Sequence, residues 1–245
     1  MIQLPEVIKV ISREGDKAKF EISPLMPGYG STIANPLRRV LLSSLGGAAV
    51  TSIKIKGVDH QFSSMEGVME DVIEIILNVK KIRFRSYSDS PITLTIDVKG
   101  DREVTAADIT APAEVEVINP DQLIATISDK KTEFNMELVV EKGIGYVPLE
   151  QRQKDKLPIG VIAVDAVFSP VRSVNFTIED IRVGQRIDFN RVVMEVETDG
   201  SITPEEAVKQ SSEILVNHLS LFNQLEIPER TVKKAKKAKA VTATE

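Results

Sequence analysis

Apolar residues recur in two rhythms along this chain, and each predicts its own kind of element. Alternation over residues 6–12 and 17–23, with Glu14-Gly15-Asp16 between them, predicts a β-hairpin. A helical rhythm follows over residues 31–45. At about 100° per residue, Ile33, Leu37, Val40 and Ser44 share one arc with Leu41 beside it, and Asn35, Arg38, Arg39 and Leu42 occupy the opposite arc. The first arc suits a core. Two adjacent arginines beside a leucine suit a desolvated protein contact, because guanidinium is weakly hydrated and forks onto carboxylates and carbonyls. Pro36 leaves two possible starts: Asn35 as the cap, or a start near Thr32 with one bond lost, of which the earlier is preferred. Gly46-Gly47 reads as the stop signal, through glycine's tolerance of positive φ.

Alternation returns at residues 48–56. Ser63 and Glu66 then have capping-box spacing ahead of an apolar-rich helix through Val79. Residues 82–148 carry short alternating segments such as Ile92-Thr93-Leu94-Thr95-Ile96-Asp97-Val98, which predict a β-rich middle region. A charged loop at residues 150–156 precedes further strands through about residue 196. After Asp199-Gly200, Thr203-Pro204-Glu205-Glu206 combines a threonine cap, proline at the first helical position and glutamate at the third. The helix it starts should run to about residue 224, with Val208, Ser211, Leu215, Leu219 and Phe222 on one stripe and Ile214, Leu221 and Leu225 on another. A single sheet face would not cover both stripes. A second chain or a deep groove in the same domain would account equally well for that width.

Composition narrows the class. At 245 residues with 42% apolar content, the chain can bury roughly 70 to 75% of its unfolded surface in one or two cores. It has no cysteine, which removes disulfides and thiolate chemistry and fits a reducing compartment. The start lacks the pattern of a signal peptide, and no apolar run approaches the roughly 20 residues that span a bilayer. Net charge is −5, although five lysines crowd into residues 233–239, so the remainder is more acidic still and a nucleic-acid-binding core is disfavoured. With no tryptophan and three tyrosines, single-strand binding by base stacking is disfavoured too.

Candidate chemistry is sparse. His60 and His218 are far apart in sequence, and packing explains each better than metal binding. Glu66, Glu70 and Asp71 stand at helical spacing and could serve acid–base or metal chemistry, although a capped, solvated helix start is the commoner reason for such a cluster. Gly143-Ile144-Gly145 lacks the lysine and context of a phosphate loop. The lysine-rich end could touch phosphate backbones nonspecifically, or serve as a solvated linker.

Motifs along almost the whole chain carry a family resemblance. They are Gly28-Tyr29-Gly30, Asn35-Pro36-Leu37-Arg38-Arg39, Gly57-Val58-Asp59-His60-Gln61-Phe62-Ser63, Glu66-Gly67-Val68-Met69-Glu70-Asp71 and Val104-Thr105-Ala106-Ala107-Asp108-Ile109. They continue through residues 143–148, Phe168-Ser169-Pro170-Val171-Arg172, Val183-Gly184-Gln185-Arg186 and Glu197-Thr198-Asp199-Gly200-Ser201. In this order, over about residues 1–226, they resemble the bacterial RNA polymerase alpha subunit in its N-terminal assembly region.

The resemblance implies an α+β fold: a two-helix and antiparallel-sheet dimerisation domain of residues 1–48 plus 171–226, interrupted by a β-rich insert domain of residues 49–170. Residues 227–245 would be a flexible tail or linker. It implies a homodimer in which one copy binds the beta subunit and the other beta-prime, nucleating assembly for DNA-templated transcription. The dimer interface would use Ile33, Leu37, Leu41, Val208, Leu215, Leu219 and Phe222. Beta would meet Arg38, Arg39, Leu42, His60, Glu66, Glu70 and Asp71, and beta-prime would meet Lys80, Phe168, Pro170, Arg172, Gly184 and Arg186. Catalysis would rest on magnesium-binding aspartates of another subunit, with no catalytic residue, metal or cofactor on this chain. Ala34 stands where the family commonly has glycine. Alpha subunits usually continue into a small helical domain that binds promoter DNA, and these 245 residues do not include it, either because they are part of a longer chain or because the lineage lacks it; DNA is expected to be met only through the assembled complex. The expected location is the bacterial cytoplasm, with a plastid origin also compatible. Two other readings remain at this stage: a carboxylate-dependent enzyme centred on Glu66, Glu70 and Asp71, and a nonspecific nucleic-acid binder using the lysines.

Overall fold

The computed structural model describes residues 5, 7–152, 158 and 160–225. The lysine-rich end and residues 153–156 of the expected charged loop lie outside the described residues. The opening hairpin forms as β1 (Val7–Glu14) and β2 (Lys17–Leu25), with a register shift between Val10 and Ser12. Helix α1 (Tyr29–Ser43) begins earlier than either predicted start and keeps Pro36 inside it. The cause lies far away in sequence. Gly28 takes a left-handed φ of 81°, which glycine reaches without a Cβ penalty, and the N–H groups of Gly28 and Gly30 donate to Asn190 Oδ1 at 2.9 and 3.4 Å. Asn190 therefore caps the helix from another strand.

Gly46 and Gly47 do not stop the helix by positive φ; they open β3 (Gly46–Ile55). Gly47 is small for a different reason. A Cβ there would lie 1.9 Å from the Phe168 carbonyl oxygen, and one on Gly143 would lie 2.6 Å from the Phe168 ring. The segment that leaves the first sheet thus runs in close contact with the segment that returns to it.

Between these crossings come α2 (Val72–Val79), β4 (Phe84–Ser86), β5 (Ile92–Lys99), β6 (Arg102–Thr105), β7 (Ile109–Thr110), β8 (Val115–Val117) and β9 (Leu123–Ile127). Then follow β10 (Glu133–Ile144), β11 (Tyr146–Val147), the short α3 (Leu149–Arg152), β12 (Val161–Ala163) and β13 (Ala166–Val167). Their main sheet has the order β7-β5-β10-β3-β4-β8, with β12 also on β3. The alternation read in β5 holds: Leu94, Ile96 and Val98 point inward, opposite Leu138, Met136 and Phe134 of β10. Helix α2 starts at Val72, not near Ser63. Asp71 caps it by accepting from the Glu74 N–H at 2.7 Å, whereas Ser63 is occupied with His60.

The chain then returns through β14 (Val171–Val183) and β15 (Arg186–Thr198) to α4 (Pro204–Ser220), which continues as a 3₁₀ turn, Leu221–Gln224. The start of α4 is as the sequence predicts: Thr203 Oγ1 accepts from the Glu206 N–H, and Glu206 accepts from the Thr203 N–H. This first sheet, completed by the returning strands, has the order β1-β2-β15-β14, all antiparallel. Its inner face, including Phe20, Ile22, Val192, Met194 and Val174, packs on Ala34, Leu37, Leu41 and Leu45 of the α1 region and Ala207 of α4. Its outer face is polar, with Lys17 and Lys19 paired to Glu195 at 2.7 and 3.2 Å. A separate core forms from residues of the middle region, between Val50 and Val164.

The close approach at Gly47 makes a direct prediction. Gly47→Ala should destabilise the chain by about 2–4 kcal/mol, since backbone must move to admit the methyl group. Gly15→Ala, in open space with φ 57°, should cost only about 1 kcal/mol. Urea unfolding of the two variants measures the difference.

Candidate subunit interfaces

An open apolar surface lies where α1, α4 and β1 meet. On β1, Ile8 and Val10 stand opposite Ile22 and Phe20 and so continue the sheet's inner face, but no helix among the described residues covers them: Ile8 is 69% exposed. On α4 the first half is buried through Ala207 and Ser211, whereas Val216 and Leu219 are 64% and 62% exposed. Between them runs a groove of about 610 Å³ whose lining includes Ile8, Val10, Ile33, Leu37, Val208, Leu215 and Leu219. Most of the residues expected at a dimer contact therefore gather in one place. Phe222, 66% exposed, follows on the terminal 3₁₀ turn. Leu41 is a correction. It has no exposed surface and packs only within its own core, and Leu37, nearly buried, can contribute only as the floor of the groove. Sequence reading missed Ile8 and Val10, although their spacing in phase with Phe20 and Ile22 across a recognised hairpin marks them as inner-face residues.

The opposite arc of α1 is exposed as predicted, but its arginines differ. Arg38 folds back, donating from Nε to the Val174 carbonyl at 3.0 Å. The Arg39 guanidinium has no partner among the described residues. Ala34, where glycine was expected, is wholly buried against the sheet.

The other residues expected to meet beta lie on the middle region. His60 and Glu66 are exposed, and His60 Nδ1 lies 3.0 Å from Ser63 Oγ. Glu70 is tied into the fold, its two oxygens accepting from the Thr126 N–H at 2.6 Å and the Thr126 hydroxyl at 2.8 Å. Asp71 is the α2 cap. The carboxylate trio is thus spread over two tethers and one free side chain, and does not converge on a common point as acid–base or metal work would need. Phe62, Met69, Ile73 and Leu77, all exposed apolar residues of this segment, escaped the sequence reading; the Ile73 and Leu77 spacing of one helical turn was the available signal.

Among the residues expected to meet beta-prime, two need correction. Phe168 and Pro170 are buried, Phe168 against Gly143 and Gly47, so neither offers surface. Lys80 is half-buried and donates to Asp165 Oδ2 at 2.6 Å, where the Tyr146 hydroxyl also donates at 3.1 Å. Burial pushes the Asp165 carboxyl up, but the hydrogen bonds from Lys80 and Tyr146, with the lysine charge, hold it below the usual carboxylate range. The Tyr146 hydroxyl is pushed up in turn, chiefly by its hydrogen bond to Asp165. Arg172 is exposed. Gly184 and Arg186 sit at the tip of the β14–β15 hairpin, where Arg186 pairs with Asp188 at 2.7 Å and lies over the Phe189 ring. Lys80, Asp165 and Val167 line one small cavity; the hairpin tip is no part of it. Ser169 Oγ, donating to the Leu42 carbonyl at 3.3 Å, brings the end of the arginine arc beside the return crossing.

No helix among the described residues is long and apolar enough to cross a membrane. The class of protein emerges first from the middle region: residues 53–169 match the family model described as "RNA polymerase Rpb3/RpoA insert domain". Curated relatives extend the likeness to both ends. The DNA-directed RNA polymerase subunit alpha of Oceanobacillus iheyensis is 49% identical over 222 residues, covering 90% of this chain and 70% of that protein. That of Symbiobacterium thermophilum is 50% identical over 216 residues, 88% and 68% of the two, and that of a Roseiflexus species 47% over 227 residues, 91% and 69%. The chain belongs to the DNA-directed RNA polymerase alpha subunit family.

The Asp165 cluster predicts a pH dependence. A carboxyl depressed in the folded state stabilises it above the unfolded pKa, near 4, and that contribution is lost as pH falls through the lowered folded value. Asp165→Asn should therefore be less stable than wild type at neutral pH and converge with it in acid, by denaturant midpoints. The same variant should return Tyr146 toward an ordinary phenol pKa in an absorbance titration.

Proposed function

We propose that the chain is the homodimeric scaffold on which a bacterial-type DNA-directed RNA polymerase assembles, one copy receiving the beta subunit and the other beta-prime. Membership of the alpha family puts the chain in a nucleotidyltransferase complex that serves transcription. The observation that carries the scaffold reading is the groove at α1, α4 and β1: a continuous apolar surface that one copy leaves open and a second copy could close. Arg39, without a partner among the described residues, beside exposed Leu42 supports a further protein contact on the other side of α1. In this reading residues 1–48 and 171–226 make the dimerisation domain and residues 49–170 the insert domain. The chain works in the bacterial cytoplasm, contributes no catalytic group and no cofactor, and meets DNA through the complex. The magnesium of nucleotide transfer belongs to another subunit.

Co-purification with beta and beta-prime, followed by native mass measurement, tests partners and stoichiometry together. Two copies of this chain per copy of each large subunit is the expected result, and failure to recover either large subunit would sink the proposal. Leu219→Glu should weaken self-association by more than about 100-fold, because a carboxylate would be buried unpaired, while the isolated chain stays folded. Sedimentation equilibrium measures it. Arg39→Ala should leave the dimer intact and weaken capture of beta by roughly 10- to 100-fold, as expected for a central arginine, in a binding titration.

A further inference from the structure

The two places where the backbone crosses between the terminal sheet and the middle region lie against each other. Gly47 on the way out is packed on the Phe168 carbonyl on the way back. Two adjacent strands of chain define a hinge line; alone they do not fix rotation about it. A third tie exists, and it is made of side chains. From β4, Arg85 donates through Nε to the Ser201 carbonyl at 2.6 Å. Arg83, just before it in the chain, lies with Nε 3.8 Å from Asp199 Oδ2. Ile118, whose N–H donates to the Arg83 carbonyl at 2.9 Å, has a methyl group 3.1 Å from where a Cβ on Gly200 would sit. Three residues of the middle region thus grip the three-residue turn Asp199-Gly200-Ser201 that leads into α4.

That turn is itself preset to receive them. Gly200 has φ 91°, and Asp199 Oδ1 accepts from both the N–H and the hydroxyl of Ser201, at 2.9 and 2.5 Å. This leaves the Ser201 carbonyl as the acceptor for Arg85. The Asp199 N–H donates to the Pro170 carbonyl, tying the turn to the return crossing. Arg85 is steered from its own side by Glu116, 3.7 Å from Nη1. A cleft of about 290 Å³ lies at this junction, with Gly46, Gly47, Arg85, Ser201 and Gln210 among its lining, so the contact is bridged by a long side chain instead of packed shut. Electrostatics crosses it as well: Glu206 is held below the usual carboxylate range first by the N–H and hydroxyl of Thr203 and, more weakly, by the charge of Arg85.

We propose that Arg85 is a positioning residue that fixes the orientation of the middle region on the terminal sheet by holding the turn before α4, with Arg83 as its auxiliary. The surfaces expected to meet beta, on α1 and around His60, belong to different units, as do those expected to meet beta-prime, around Lys80 and at the β14–β15 tip, and one large partner engages both of its surfaces only if their relative orientation is set beforehand. This consequence rests on the scaffold reading; the mechanical tie does not. An arginine suits this role because its planar fork reaches across an open cleft and loses little freedom for each bond made.

The absence of cysteine makes the test clean. In the full chain, Arg85→Met should raise hydrogen exchange at least tenfold at residues 199–203 and 83–86 and leave α1 unchanged. It should preserve self-association and weaken capture of the large subunits about tenfold. In Arg85→Cys/Ile202→Cys, a short disulfide-forming cross-linker should restore capture, and reductant should abolish it again. Asp199→Asn, which loosens the turn without touching Arg85, should raise exchange at the same residues. Exchange unchanged at the turn, or raised across the whole chain, would overturn the tie; capture that the cross-link does not restore would overturn its role in positioning. If the unaltered chain captured neither large subunit, the scaffold reading would fail while the exchange result still judged the tie.

Discussion

Two helices are all that the described residues offer to cover the apolar face of a four-stranded sheet, and the organisation of the terminal unit follows from that shortage. α1 lies over β14 and β15 because Gly30 permits close approach to Ile178 and Asn190, where a Cβ would sit 2.9 and 3.3 Å from them. The first half of α4 then fills the space beside α1 through Ala207 and Ser211, both without exposed surface. Nothing among the described residues covers β1. Its inward residues Ile8 and Val10, and the second half of α4, remain as one apolar groove. Burying such side chains is worth about 1.5–3 kcal/mol each, so an open groove of this breadth is a strong drive toward association.

The middle region solves a separate problem. It has a core of its own, separate from that of the terminal sheet, so the relation between the two is one of placement. Placement comes from glycines at the crossing and from arginines at the turn before α4. The first set removes side chains so that backbones can touch; the second uses long side chains to span a gap. One fixes a position and the other an orientation, and they are drawn from opposite extremes of side-chain size for that reason.

Legibility in the sequence followed the range of the interaction. The α4 start is written entirely in Thr203, Pro204 and Glu206, neighbours in the chain, and it was readable to the residue. The alternation of β5 was equally clear. Where the cause was distant, local reading failed: α1 starts at Tyr29 because Asn190 caps it, Gly47 is small because Phe168 is near, and Ser63 does not cap α2 because Asp71 does. Burial showed the same limit. Helical spacing put Leu41 correctly on the core arc, but the family resemblance, which describes partners and not exposure, assigned it to an interface; Phe168 and Pro170 were misread in the same way. The pairing of Lys80 with Asp165 and Tyr146 joins three separate segments, and no pattern in any one of them announces it.

Closure of the groove by a second copy decides the scaffold role. Hydrogen exchange of the isolated chain, followed as protein concentration is lowered, tests this most directly by comparing the two halves of α4. Residues 203–211, buried within one copy, should stay protected at every concentration. Residues 215–225 should be protected at high concentration and lose that protection together with Ile8 and Val10 on dilution. Fast exchange of residues 215–225 at all concentrations, with no dependence on dilution, would contradict closure by a second copy.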